Sequence, residues 1–165
     1  MLKPEIEKAL NHQLNEEQTA SQEYLAMAAW FEDKNLRGFA AFMRRQSDEE
    51  RMHSMKFFAH LADRGARIRI EAIRAPKPDF DSPLDVFKAA LERERQNTRA
   101  INECYRLAHE HHDYATQTFL HWFINEQVEE EQWAEEAVAL LETAGDNKSA
   151  LLMLDNRYGS EGKEG

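Results

Sequence analysis

A second cysteine is missing from this sequence, as are a net positive charge, a long apolar run and most of the usual chain breakers, and each absence closes off a class of protein. Cys104 alone cannot form an intrachain disulfide, and the opening MLKPEIEKAL carries charge where a secretory leader would be apolar, so a reducing cytoplasm is the expected location. The 31 acidic side chains outnumber the 21 basic ones, for a formal net charge of -10. Such a chain repels the phosphates of nucleic acid and anionic lipid and attracts cations. No stretch approaches the length of an apolar membrane span, so neither nucleic acid nor membrane is an expected partner. Only six glycines and four prolines interrupt 165 residues that are 42% hydrophobic, a size and composition that suit one domain with a sizeable core.

The few breakers fall at informative places. Pro4 suits a first helical turn; Asn35 and Gly38 interrupt the pattern once; Gly65 and then RAPKPDFDSP interrupt it at length; Asp113 and Gly145 mark two further boundaries. Ser82, Pro83 and Asp85 read as an N-cap, a first-turn proline and an acid near the positive helix end. Strand-like alternation is confined to RIRIEAI, residues 67–73. The spacing therefore predicts an all-α chain with helices over about 4–34, 38–64, 83–111 and 113–143, a short fifth helix at 147–157 and a frayed tail at 158–165. Antiparallel neighbours need only a few linking residues, whereas the roughly 18 residues from Gly65 to Pro83 can stretch ~60 Å, enough to run the ~40 Å length of such a helix. One long crossover within a four-helix bundle is the expected topology.

Each long helix carries one stripe with steps of three and four that is apolar toward its ends and polar in its middle. The middle residues are Glu17, Ser21 and Tyr24 in the first helix, Gln46, Glu50 and His53 in the second, Glu94 and Asn97 in the third, and Gln127 and Glu130 in the fourth. An isolated glutamate in such a stripe is ordinarily register drift or a salt-bridged core residue. The numerical relation among these residues argues otherwise, since Glu17, Glu50 and His53 recur 77 positions later as Glu94, Gln127 and Glu130. Folded about turns near residues 35 and 112, Glu17 and His53, and Glu94 and Glu130, each lie 18 residues from their own turn, about 27 Å at ~1.5 Å per residue. All four polar middles meet at mid-bundle.

Glu50 and His53, three residues apart on one helix face, reach the same ion. Burying several carboxylates together costs several kcal/mol per ion unless cations neutralise them, and no Lys or Arg occupies a stripe. Two divalent metals would do so. A glutamate from each of two helices with Glu-x-x-His from the others is the donor pattern of di-iron carboxylate bundles. Here one half is complete, Glu17 with Glu50-x-x-His53, and the other is altered, Glu94 with Gln127-x-x-Glu130. The expected pair of sites is asymmetric, with Glu50 shared.

At these residues the chain resembles the bacterial non-haem ferritins over essentially its whole length. The motifs that carry the resemblance are NEEQTASQEY with Glu17 and Tyr24, AAFMRRQSDEERMH with Glu49, Glu50 and His53, ERERQ with Glu94, and FLHWFINEQVEEEQ with Glu126, Gln127, Glu129 and Glu130. The resemblance implies a ferritin-like four-helix bundle with a short fifth C-terminal helix, and a homo-oligomeric hollow shell of 24 subunits with octahedral symmetry that stores ferric mineral. It implies a ferroxidase centre in each subunit, with Fe(II) and dioxygen or peroxide as substrates. By that likeness Glu17, Glu50 and His53 bind a first iron and Glu50, Glu94 and Glu130 a second; Glu49, Glu126, Glu129 and Glu130 form a third site nearby; Gln127 and Tyr24 support the ligands. Bacterioferritins keep Glu-x-x-His in both halves and place a haem-ligating Met directly after the bridging Glu. Arg51 occupies that position here and Met52 is one step out of phase, so no haem is expected.

Tyr24 reads either as an electron donor to the centre or as a core tyrosine bonded to a ligand carboxylate. His109, His111 and His112 in HEHHD read first as water-facing residues at the negative end of a helix, with a metal role near an iron entry pore as the alternative. Trp30, Trp122 and Trp133 read as packing or interface residues. ALLMLDN, residues 150–156, is more apolar than a peripheral helix needs and is expected to pack against other copies of the chain. Two further function classes stand beside iron storage: a di-iron bundle oxygenase or peroxidase, marked by turnover of an organic substrate or peroxide, and a metal-free helical interaction protein, marked by a stability indifferent to metal.

Overall fold

The computed structural model describes residues 2–161. Five helices follow one another, α1 (Pro4–Asp33), α2 (Arg37–Asp63), α3 (Pro83–Glu110), α4 (Tyr114–Ala144) and α5 (Lys148–Ser160), with no strand among the described residues. The fifth helix outlasts the expected end at 157 because Tyr158 is buried against Phe39, Phe42 and Phe87, which holds the last turn in place. The remaining residues of the expected frayed tail, 162–165, lie outside the described residues.

The helix ends follow from local chemistry. After α1, α2 and α3 the chain turns left-handed at Asn35, Gly65 and His112, with φ of 58°, 66° and 54°. The next amide in each case reaches back five residues in the Schellman pattern, Leu36 N to Phe31 O, Ala66 N to Leu61 O and Asp113 N to Ala108 O, and satisfies carbonyls the helix would leave bare. His112 therefore has a backbone role, and His109, His111 and His112 are all exposed. Ser82 caps α3 by accepting from Asp85 N, and Asp113 caps α4 by accepting from Thr116 N. Gly38 interrupts nothing: it lies in the first turn of α2, where any Cβ would sit 1.7 Å from the Asp155 carbonyl oxygen. The bare backbone lets α5 lie against α2. Asp155 then accepts from Phe39 N at 2.9 Å, capping a helix start that Leu36 cannot cap.

The chain from Arg64 to Ser82 runs along α1 from its beginning to its end, as a crossover must. Asn11 and Asn15, one turn apart on α1, treat the extended segment as a strand: Asn11 bonds Arg67 O and Arg69 N, and Asn15 bonds Arg69 O and Glu71 N. Farther along, Phe80 packs edge-on against Trp30. The alternation in RIRIEAI is thus genuine extended backbone, paired with helix side chains.

Two apolar clusters fill the bundle, one on either side of its middle. Tyr24, Phe31, Phe39, Met43, Phe87 and Leu141 belong to one, and Leu10, Leu14, Phe57, Leu61, Ile101 and Phe123 to the other. Burial of these side chains, roughly 1.5–3 kcal/mol each, offsets the polar layer held between them.

Candidate metal centre

Between the clusters the four helices place Glu17, Glu50, His53, Glu94, Gln127 and Glu130 together, each no more than 3% exposed. Ligand atoms of Glu17, Glu50 and His53 lie within 4.8 Å of one another, as do those of Glu50, Glu94 and Glu130. Glu50 belongs to both groups. The sharing follows from Glu50 lying one helical step from His53 on the stripe of α2 that faces both α1 and the other half of the bundle.

Two atoms at the heart of this layer have no hydrogen-bond partner, His53 Nδ1 and Glu50 Oε2, and they face each other at 3.6 Å. An unmade bond on a buried polar atom costs about 1–3 kcal/mol, so a pair of lone-pair donors left facing a common gap is a specific arrangement for an electrophile. Arg93, also buried, is matched by Glu16 at 3.0 Å and Glu23 at 3.3 Å, carboxylates outside the layer. The oxygen and nitrogen donors fit borderline and hard divalent or trivalent ions such as iron.

The electrostatics agree. Burial, with repulsion from Glu17 and Glu94, holds the Glu50 carboxyl well above its ordinary range. Burial raises Glu94 to about 7, opposed by hydrogen bonds from Tyr24 and Gln127. Burial and then Glu94 raise Glu130 to about 9. Burial pushes the His53 imidazole the other way, toward its neutral, metal-binding form. Without metal, protons take the place of cations.

Tyr24 donates its hydroxyl to Glu94 Oε1, and Gln127 Nε2 reaches Glu94 Oε2 at 3.2 Å, so both residues orient that carboxylate. The residues expected in a third site are only partly brought together. Glu126 and Glu130 gather with His53, within 4.8 Å. Glu49 is half-buried beside Gln46, whose amide nitrogen reaches Glu49 Oε2 at 2.7 Å while its oxygen accepts from Trp133 Nε1 at 2.9 Å. Glu129 is exposed and belongs to none of the three groups found among the described residues.

Two supporting residues escape a reading by stripes. Trp133 does more than pack, since its indole N–H also lies at 2.5 Å from Glu130 Oε2. Gln13 is fully buried and donates to Glu17 Oε1 at 2.8 Å. Leu14 fills the same turn of the heptad-like pattern and hides Gln13, though its place four residues before Glu17 was a usable signal.

A family model described as the ferritin-like domain matches residues 7–144. Among curated proteins, the bacterial non-heme ferritin of Staphylococcus aureus (strain USA300) is 40% identical over 160 residues, covering 97% of this chain and 96% of its own. That of Staphylococcus haemolyticus (strain JCSC1435) is 39% identical over 155 residues, covering 94% and 93%. Among solved structures, an open pore ferritin from the hyperthermophilic archaeon Archaeoglobus fulgidus superposes with a TM-score of 0.95 at 39% identity, covering 96% of this chain and 98% of that one. A form of that ferritin engineered to be closed superposes at 0.94 with 38% identity, covering 96% and 97%.

Proposed function

The chain belongs to the ferritin family, and from that premise we propose that it oxidises Fe(II) at its bundle centre and stores the Fe(III) as mineral inside a hollow shell. The observation that carries the proposal is the pair of buried donor groups sharing Glu50, with the orphaned His53 Nδ1 and Glu50 Oε2 facing one gap. Glu17, Glu50 and His53 hold one Fe(II); Glu50, Glu94 and Glu130 hold the second. Two substrate ions each give up one electron, and one dioxygen accepts both with two protons, leaving as hydrogen peroxide. The protein's share is to hold the ions side by side in a dry layer and to offer anionic oxygens, which favour the ferric product.

The two sites differ in what the product meets. The first is closed by an imidazole and by Glu17, whose side chain is fully buried. The second is bounded by Glu130, which also gathers with the half-buried Glu126, and Glu49 adjoins this side. Glu126, Glu130 and His53, with Glu49 and the exposed Glu129 beyond, form a carboxylate path by which Fe(III) leaves. Assembly into a shell of 24 copies in the cytoplasm completes the reading.

Aerobic titration of the purified protein with Fe(II), followed by absorbance and by particle mass, tests it. Uptake far beyond the few ions the bundle holds, into one large particle, is the expected result. Saturation at a few ions per chain rules storage out.

A further inference from the structure

Three buried side-chain amides, Gln13, Asn97 and Gln127, form a continuous ladder between the carboxylates of the two half-sites. Gln13 Nε2 donates to Glu17 Oε1 at 2.8 Å and to Asn97 Oδ1. Asn97 Nδ2 lies 3.4 Å from Glu17 Oε2 and 3.3 Å from Gln127 Oε1. Gln127 Nε2 ends the ladder on Glu94 Oε2 and on Thr98, both at 3.2 Å.

The direction of the ladder is set by its ends. A carboxylate is an acceptor only, so each terminal amide must turn its N–H toward Glu17 or Glu94. With Gln13 so turned, Asn97 must present oxygen to Gln13 and nitrogen to Gln127, and Gln127 in turn presents nitrogen to Glu94. One oxygen is left over, Gln13 Oε1, fully buried and without a donor. A buried acceptor left bare is destabilising, so the arrangement serves the N–H on Glu17 at the expense of Gln13 itself.

We propose that Gln13 and Asn97 are positioning residues for Glu17: Gln13 occupies its Oε1, Asn97 fixes Gln13 and flanks Oε2 from the side of α3, and together they hold Oε2 toward the gap beside His53, so that Glu17 ligates through one oxygen. His53 Nδ1 stands 4.0 Å from that Oε2. The internal repeat gives the other half no such device, because the positions equivalent to Gln13 and Asn97 are Ala90 and Ala20. Glu94 is held at both oxygens by Tyr24 and Gln127 instead. The two metal positions therefore differ in how their terminal glutamates are held as well as in their ligand sets. The inference rests on the reading of Glu17 as a metal ligand.

Anaerobic titration of the full-length, assembled apo protein with Co(II), read by its visible absorption, tests both layers separately. In Gln13→Met the side chain keeps its length and loses the N–H. The first Co(II) is expected to bind about 10–100-fold more weakly, the range for lost supporting hydrogen bonds. Its bands should also weaken, because Glu17, released at Oε1, chelates through both oxygens and raises the coordination number. Gln13→Asn, which keeps an amide but withdraws it by one methylene, must show the same spectral change and covers the case in which Gln13→Met does not assemble. Asn97→Leu is expected to weaken both sites, since it also frees Gln127. Variants that assemble and bind Co(II) with the parent's affinity and spectrum overturn the positioning of Glu17 alone. A parent that binds no Co(II) overturns the metal reading and this inference with it.

Discussion

Removing metal should make the stability of this bundle fall as pH rises from about 5 to 7.5, the reverse of ordinary acid denaturation. Glu94 and Glu130 have folded-state pKa values of about 7 and about 9, against 4.5 for an unperturbed glutamate. Above about pH 4.5 the unfolded chain has released these protons and the folded chain retains them. Folding then takes up protons, and the stability they confer is fully present below the unfolded value and is lost as pH rises toward the folded one. Over about two pH units, at ~1.4 kcal/mol per unit, either group alone gives ~3 kcal/mol. The two share one mutual repulsion, so the pair is taken at ~3 kcal/mol and not at the sum. His53, its pKa lowered by burial, acts in the opposite sense below about 6.5, where the unfolded imidazole gains a proton that the folded one resists. Its effect trims the slope in the lower part of the window.

At ~2–4 °C per kcal/mol for a chain of this size, the chelator-treated protein should melt ~6–12 °C lower at pH 7.5 than at pH 5. Calorimetry at fixed particle concentration measures it. Zn(II) at a hundredfold excess over its dissociation constant should restore ~2.7 kcal/mol at the higher pH, because it binds only the folded layer. The double variant Glu94→Gln with Glu130→Gln, in which neither side chain ionises, should reduce the slope. An apo protein that melts at the same temperature or higher at pH 7.5 refutes the reasoning, whatever the metal does.

Glu50→Gln should raise the apo melting point near neutral pH, since folding no longer has to protonate a buried carboxylate, while abolishing the shift with Zn(II) at both positions; a variant that melts lower and still binds two ions argues against a shared bridge. Gly38→Ala forces a methyl into the Asp155 backbone and should cost about 1–3 kcal/mol and detach α5, seen as faster protease cleavage after Ala144; an unchanged digest would show the helix contact to be slack. Trp133→Phe leaves Gln46 and Glu130 without the indole donor, about 1–3 kcal/mol, and should slow iron clearance more than first-turnover oxidation; equal effects on both would place Trp133 in packing alone. Leu152 and Met153 are 55% and 72% exposed, although Leu151 and Leu154 on the same helix pack inward, so Leu152→Asp with Met153→Asp should yield smaller particles in gel filtration; an unchanged particle removes α5 from the assembly contacts.

The sequence displays the polar middle of each helix because a buried carboxylate has no apolar reason to sit in a stripe of steps three and four. Glu17, Glu50, His53, Glu94 and Glu130 could each be placed at one height by counting residues from the turns, since helical rise is constant. What the count cannot supply is the direction of side chains off the stripe. Gln13 shares its turn with Leu14, and only the tertiary approach of Asn97 from α3 shows which of the two faces Glu17. Trp133 looks like packing because its hydrogen-bond donor is one atom on a large apolar ring. Gly38 looks like a breaker because the reason for it, Asp155, lies 117 positions away. Glu129 lies beside the stripe and is exposed, so nothing in the pattern of steps three and four singles it out; only the family resemblance names it.

The asymmetry of the centre reaches deeper than the exchange of a histidine for Glu130. In the first half both supports of Glu17 are neutral amides, Gln13 and Asn97, and the ligand beside it is an imidazole that burial keeps neutral. In the second half a phenol and an amide support Glu94, and its partner Glu130 resists ionisation until a cation arrives. A metal entering the first site displaces the proton of the shared Glu50, and one entering the second displaces those of Glu94 and Glu130. Binding at the second site should therefore weaken more steeply as pH falls, and partial loading below neutrality should fill the first site alone. Co(II) titrations at about pH 6 and pH 7.5 that show the same stoichiometry and the same order of filling would mean that the two halves, despite their different supports, behave as equals.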